Sequence, residues 1–130
     1  MAARRRLIEM QSTIITGDIF DLADKIANYT INGTTGEPLA ENGMVLTEFI
    51  EIVPESEYVY TITSNSTGAR TRRFACYDSG RNYISTLVSQ SWMNAGQTYT
   101  TTVQMPGNAK YARLCALNTD NVSAIGKMVK

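Results

Sequence analysis

The sequence predicts an all-β protein, a jelly-roll β-sandwich behind a short N-terminal arm, and three observations carry that expectation. The first is alternation. Strand side chains project to opposite faces with a period of two, so Ile50 and Ile52 share a face, and Tyr58, Tyr60 and Ile62 lie opposite Val59, Thr61 and Thr63. The second is punctuation. Strand-like runs are separated by Pro54-Glu-Ser-Glu57, Ser64-Asn-Ser-Thr-Gly68, Asp78-Ser-Gly80, Asn94-Ala-Gly96 and Met105-Pro-Gly-Asn108, all rich in residues that break regular pairing. The third is the near absence of helical patterning. Many short strands divided by turns at regular spacing build a two-layer sandwich.

In chain order, residues 1–20 read as the arm and residues 21–130 as the sandwich. The arm holds a triple arginine and no turn signal; a short helix around Leu7–Met10 and an extended segment both fit it. Asp18-Ile-Phe-Asp-Leu-Ala-Asp-Lys25 suits a brief helical turn, capped by Asp21. Asn28-Tyr-Thr-Ile31 reads as a strand, Asn32-Gly-Thr-Thr-Gly36 as a Gly-rich turn, and Asn42-Gly43 as a second turn. The runs at 47–52 and 57–63 follow, then strands at 73–80, 82–85, 99–103 and 110–117. A last strand from Val122 to Val129 is expected at a sheet edge.

Composition excludes several classes of function. With 130 residues the chain suits one domain that buries a core without staples. Twelve bases balance twelve acids, which argues against nucleic acid as the main partner. The charges are nonetheless segregated: nine acids and only Lys25 lie between Asp18 and Glu57, whereas Asp78 is the only acid between Tyr58 and Arg113. Such halves either help copies pack or mix on a solvated surface. Histidine is absent, which removes the usual zinc sites, the Ser-His and Cys-His dyads and the commonest general base. Cys76 and Cys115 lie in strand-like runs with no metal-ligand spacing and read as small buried hydrophobes, a bridge between them staying open. The basic start lacks the apolar run of a signal peptide, and no stretch approaches the roughly 20 apolar residues of a membrane span. Asn28, Asn32, Asn65 and Asn121 match the glycosylation pattern, but read here as turn chemistry.

Several of these residues follow a shared order. Asp18-Ile-Phe-Asp-Leu22, Ile26 to Ile31, Gly36-Glu37, Glu48-Phe-Ile-Glu-Ile-Val-Pro54, Tyr58, Tyr77-Asp78, Tyr83-Ile-Ser85 and Met105-Pro-Gly-Asn-Ala-Lys-Tyr-Ala-Arg-Leu114 cover residues 18–117. In that order they resemble the carbohydrate-binding-module-like β-sandwich domains of tailed-bacteriophage structural proteins. The opening Ala-Arg-Arg-Arg also looks like the starts of small phage virion proteins. The resemblance implies a non-enzymatic virion structural protein: a capsid decoration or head-fibre component, present in many copies and partnered by major capsid or tail subunits. A tail or baseplate module that binds cell-surface or mucus glycans is the alternative. It does not supply binding residues, which must be argued from a site. No cofactor or metal is expected from the residues themselves, since histidine is absent and Asp-x-Asp-x-Asp calcium spacing is missing; a structural ion at Asp18, Asp21 and Asp24 is a remote alternative.

Two groups of candidate residues emerge. Arg4, Arg5 and Arg6, followed by Leu7, Ile8 and Met10, suit attachment, with arginines pairing with carboxylates on a partner and apolar side chains docking in a groove; a solubilising terminus is the bland alternative. Tyr77, Asp78, Arg81 and Tyr83 surround a tight turn and mix aromatic surface with donor and acceptor, as glycan contact requires, although hairpins use the same residues for structure. Trp92 reads either as a stacking platform for a sugar or as a plug at the open end of the sandwich beside Met93, with the plug favoured. The carboxylate pairs Asp21/Asp24 and Glu48/Glu51 do not make a convincing acid–base couple: one lies in a flexible lead, and the other is split across strand faces.

Overall fold

The computed structural model describes residues 17–127, and the expected attachment residues Arg4, Arg5, Arg6, Leu7, Ile8 and Met10 lie outside them. One short helix, α1 (Ile19–Leu22), precedes nine strands: β1 (Lys25–Ile31), β2 (Pro38–Thr47), β3 (Ile50–Glu51), β4 (Glu57–Thr63), β5 (Arg72–Tyr77), β6 (Tyr83–Gln90), β7 (Thr98–Gln104), β8 (Tyr111–Leu117) and β9 (Asn121–Gly126). They form two antiparallel sheets. The larger runs β1-β2-β8-β5-β6, with β3 also on β8; the smaller runs β7-β4-β9. The expected all-β sandwich is therefore observed, with the chain crossing between layers at β3–β4, β4–β5, β6–β7, β7–β8 and β8–β9.

The alternation read from the sequence sets the inner faces. Tyr58, Tyr60 and Ile62 on β4 meet Phe74, Cys76, Leu114 and Ala116 of the large sheet, with Ile50 and Ile52 closing one side. The Phe74 ring stands 5.8 Å from Tyr60 and 6.3 Å from Tyr58, centroid to centroid. Helix α1 fills an open side with Ile19 and Phe20. Its cap is Asp18 and not Asp21: the Asp18 carboxylate accepts from the backbone N–H groups of Phe20 and Asp21, and from that of Ala124 on β9. Asp18 to Phe20 thus pack with the sandwich, the side chains of Ile19 and Phe20 being buried.

A second apolar cluster lies on the outer face of the large sheet, where a two-layer sandwich normally meets water. It contains Ile31, Met44, Leu46, Ala75, Tyr77 and Cys115. The β1–β2 hairpin covers it. Asn42-Gly43 is not the turn that its dipeptide suggests. Strand β2 runs through it, and the pairing jumps from Ala27↔Val45 to Tyr29↔Ala40, an asymmetric bulge. Asn28 and Gly43 both take positive φ there, 67° and 86°, and Asn28 Oδ1 accepts from Gly43 N–H at 3.0 Å. Beyond the bulge the hairpin tip folds back over the sheet: Tyr77 Oη donates to Gly36 O (2.8 Å), Arg73 Nη1 to Ile31 O (2.7 Å) and Thr30 Oγ1 to Cys115 Sγ (3.1 Å).

Register also settles the cysteines. Arg73 pairs with Cys115 and Cys76 with Ala112, an odd offset, so the thiols project from opposite faces and both are free. The segregated charges mix on folding, Arg70 with Glu41 and Lys110 with Glu51. Arg72, fully buried, forks onto Asp120 through Nε–Oδ2 (2.9 Å) and Nη2–Oδ1 (3.2 Å), and also donates to Arg70 O and Ser64 Oγ. With every donor group met, this buried pair escapes the penalty of an unpaired interior charge.

Candidate functional site

The interruption of strand pairing between β2 and β3 builds the most distinctive surface feature. Thr47 fills the gap: its Oγ1 accepts from Leu114 N–H and its carbonyl from Arg113 Nε, both at 3.0 Å. The chain then turns Phe49 onto the outer face, edge-on to Tyr77 (5.1 Å) and Tyr111 (6.0 Å). On β8 the outward positions are Tyr111, Arg113, Cys115 and Leu117, the inward ones Ala112, Leu114 and Ala116. Arg113 therefore lies against Phe49, its guanidinium carbon 4.3 Å from the ring centroid.

A second guanidinium reaches the same ring from the β5–β6 turn. Asp78 Oδ1 accepts from the N–H groups of Gly80 and Asn82, both at 2.9 Å, which tightens the turn and holds Arg81 at φ 65°. Arg81 then lies 4.9 Å from the Phe49 centroid and 5.1 Å from that of Tyr111. Ion pairs among the described residues engage Arg70, Arg72, Lys110 and Lys127, and neither Arg81 nor Arg113. Arg113 is only 5% exposed, and its one hydrogen bond there is the one to Thr47. Burial holds its pKa below the usual arginine value, against the opposing pull of Tyr77, Glu48 and Glu37. A ring contact offsets about 2 kcal/mol of such a penalty, whereas desolvating a charge costs several. The surface is thus an aromatic shelf carrying two cations that form no ion pair among the described residues.

The expected glycan residues fall in different places. Arg81 is exposed and belongs to the shelf. Tyr77 is buried beneath it as core, its hydroxyl spent on Gly36, and Asp78 is spent on its own turn. Tyr83 is half-buried, 5.9 Å from Tyr77, with its hydroxyl on Thr86. Trp92 is not the plug that its sequence suggested. Met93 takes that role at 0% exposure, pinned by paired backbone hydrogen bonds to Gly68, and alternation leaves Trp92 51% exposed. Trp92 is also far from the turn: β6 separates them by its eight residues, roughly 25 Å of strand. Phe49, Tyr111 and Arg113 were not singled out as site residues from sequence. The signal that marks them is an arginine at an outward position amid the apolar run Tyr111-Ala-Arg-Leu-Cys-Ala-Leu117.

No group of three or more His, Cys, Asp or Glu among the described residues could hold a metal ion, and Asp18 is committed to its cap. No helix there is long and apolar enough to cross a membrane.

No family model and no curated protein sequence matches the chain. Among solved structures it is similar to two cleaved adhesin domains of Lys-gingipain from Porphyromonas gingivalis W83. The K3 domain is 12% identical with a TM-score of 0.47, covering 79% of this chain and 71% of that one. The K1 domain is 13% identical with a TM-score of 0.40, covering 85% and 76%. At these identities the likeness transfers no residue role.

Proposed function

We propose that this chain is a virion structural protein of a tailed bacteriophage, a capsid decoration or head-fibre component that attaches through the segment preceding Asp18 and displays its sandwich outward. The order of motifs from residue 18 to 117 suggests the setting. The observation that supports the mechanical part is that Asp18 and the aromatic shelf lie in different layers. Asp18 joins the body at β9, on the edge of the small sheet, while the shelf of Phe49, Arg81 and Tyr111 lies on the outer face of the large sheet. A partner held at the first leaves the second free. Leu22 and Ile125, exposed by 61% and 47%, flank Asp18, and the sequence before it carries Leu7, Ile8, Met10, Ile14 and Ile15. Burying even four such side chains yields on the order of 6 kcal/mol before ordering costs.

The test is a chain beginning at Asp18, which retains the helix cap and the core. It should fold normally and fail to bind particles stripped of the protein. Full occupancy by that truncation would place attachment on the sandwich and overturn the arm. A second reading, a glycan-binding module of the tail or baseplate, draws on the exposed Trp92. Gel densitometry of purified virions separates the two: copy number in proportion to the major capsid protein means decoration, and copy number in proportion to tail subunits means receptor binding.

A further inference from the structure

We propose that β7 is a self-pairing edge, at which two copies of this chain join antiparallel across a two-fold axis into one continuous six-stranded sheet. An exposed strand edge presents unpaired backbone groups, and proteins normally guard it with charge, proline, bulges or a covering segment. Of the four outer strands, β1, β6 and β9 are guarded in this way. Strand β1 carries Lys25 and the bulge at Asn28, and β6 shifts register against β5 twice, at Phe74/Ala75 and at Cys76/Tyr77. On β9, Asp18 bridges Ile125 and its carboxylate takes the Ala124 N–H. Strand β7 has none of these devices among the described residues. It pairs with β4 without a register shift from Thr98↔Thr63 to Gln104↔Glu57, and it holds no proline, glycine or charge. The charge-free run around it extends from Asn82 to Ala109.

The register identifies which backbone groups are free and what fits them. Met105 N–H donates to Ser56 O (2.8 Å) and Ser64 N–H to Gln97 O (3.0 Å), bonds that continue the β4 ladder at its two ends. Antiparallel pairs alternate between bonded and non-bonded, so Tyr99, Thr101 and Val103 bond to β4. The N–H and C=O groups of Thr98, Thr100, Thr102 and Gln104 therefore face outward. A second β7 laid antiparallel in full overlap sets Thr98 against Gln104, Tyr99 against Val103, Thr100 against Thr102, and Thr101 against itself. Every bonded pair then joins two outward-facing residues, and a slip of one residue would destroy that match. The close, non-bonded pairs bring Tyr99 beside Val103 and Thr101 beside its own copy, an aromatic–β-branched contact and a threonine pair of the kind that stabilise sheets. One sequence thus supplies both halves with no like charges meeting across the axis, and this self-match selects a second copy as the occupant. Strands β7 and β9 are opposite edges of the small sheet, so self-pairing and the attachment proposed beside Asp18 can fail separately.

The experiment follows sedimentation and amide hydrogen exchange of the full-length protein over a concentration series. An interface one strand wide is small, so the dimer should be weak and concentration-dependent. As it forms, the amides of Thr98, Thr100, Thr102 and Gln104 should gain protection, whereas those of Tyr99, Thr101 and Val103 should be protected throughout. Thr100→Pro removes an outward donor and spares the β4 ladder; with two symmetry-related hydrogen bonds lost, it should weaken the dimer by roughly tenfold or more. Circular dichroism confirms that the variant is folded. Mixing Thr100→Lys chains with Thr102→Glu chains sets the new cation directly opposite the new anion, and the mixture should dimerise roughly threefold or more tightly than either variant alone. A protein that stays monomeric at millimolar concentration overturns the proposal. So does a dimer that Thr100→Pro leaves intact, or one in which the mixed charges bring no gain. Protection of the four outward amides in the monomer would mean that the edge is already covered within the chain, and overturns it too.

Discussion

Tyr60 illustrates how one side chain can serve the core and cost it at the same time. Its ring packs on Phe74 with no exposure, yet its hydroxyl is the one buried side-chain polar atom among the described residues that lacks a hydrogen-bond partner. Burial drives its pKa far upward, with Asp120 and Arg72 acting on it in opposite senses. An unmet hydroxyl costs about 1–3 kcal/mol, so Tyr60→Phe should leave stability unchanged or raise it by about 1 kcal/mol in urea unfolding. A loss of more than about 1 kcal/mol would reveal a bonded internal water at Tyr60. Arg72 presents the opposite case, a buried charge whose groups are all engaged, and the contrast explains why Arg113 stands out.

At the scale of elements, the β1–β2 hairpin acts as a cover. It seals the outer cluster around Cys115 only because its tip can lie flat on Tyr83 and Arg73, and glycine permits that contact. Gly36 has φ +74°, and a Cβ there would fall 2.3 Å from the Tyr83 ring. Gly36→Ala should therefore cost about 2–4 kcal/mol from backbone strain and overpacking together. It should also raise the reactivity of the Cys115 thiol toward an aromatic disulfide reagent, because the lifted tip withdraws Thr30 and Ile31 from it. Cys76, on the inner face, is the internal control. Unchanged Cys115 reactivity in a measurably destabilised Gly36→Ala protein would mean that the tip does not guard this thiol.

For the whole molecule, the resolved pKa shifts give its stability an alkaline limit. Burial raises the Cys115 thiol above its ordinary 9.0 and the Tyr58, Tyr60 and Tyr77 phenols above their ordinary 10.0. In each case the unfolded chain loses its proton first and the native state keeps it. The stabilisation is complete below about pH 9 and drains away as pH rises from there through the raised native values. Urea midpoints should be flat from pH 7 to 8.5 and then fall, with Cys115→Ala moving the onset up toward the phenol range. A midpoint that rises between pH 9 and 11 would contradict the burial of these groups.

Much of this architecture was legible along the chain because local chemistry determines it. Period-two alternation chose the inner faces of β3 and β4, prolines and glycines ended the strands near where they end, and missing histidine removed whole classes of catalysis. Asn42-Gly43 was misread because an Asn-Gly pair favours left-handed backbone in a turn and in a bulge alike, and only the partner strand distinguishes them. Trp92 and Met93 differ by one residue, hence by one face, and a backbone bridge to Gly68 decides which of them points inward. The shelf lay beyond sequence reasoning for a related reason. Phe49, Arg81 and Arg113 are tens of residues apart, and only the interruption at Thr47, the Asp78 turn and the outward register of β8 bring them to one ring. Local preference acts over a few residues and suffices for strands and turns; a surface assembled from a strand interruption, a turn and a mid-strand residue exists only once long-range pairing has set the register.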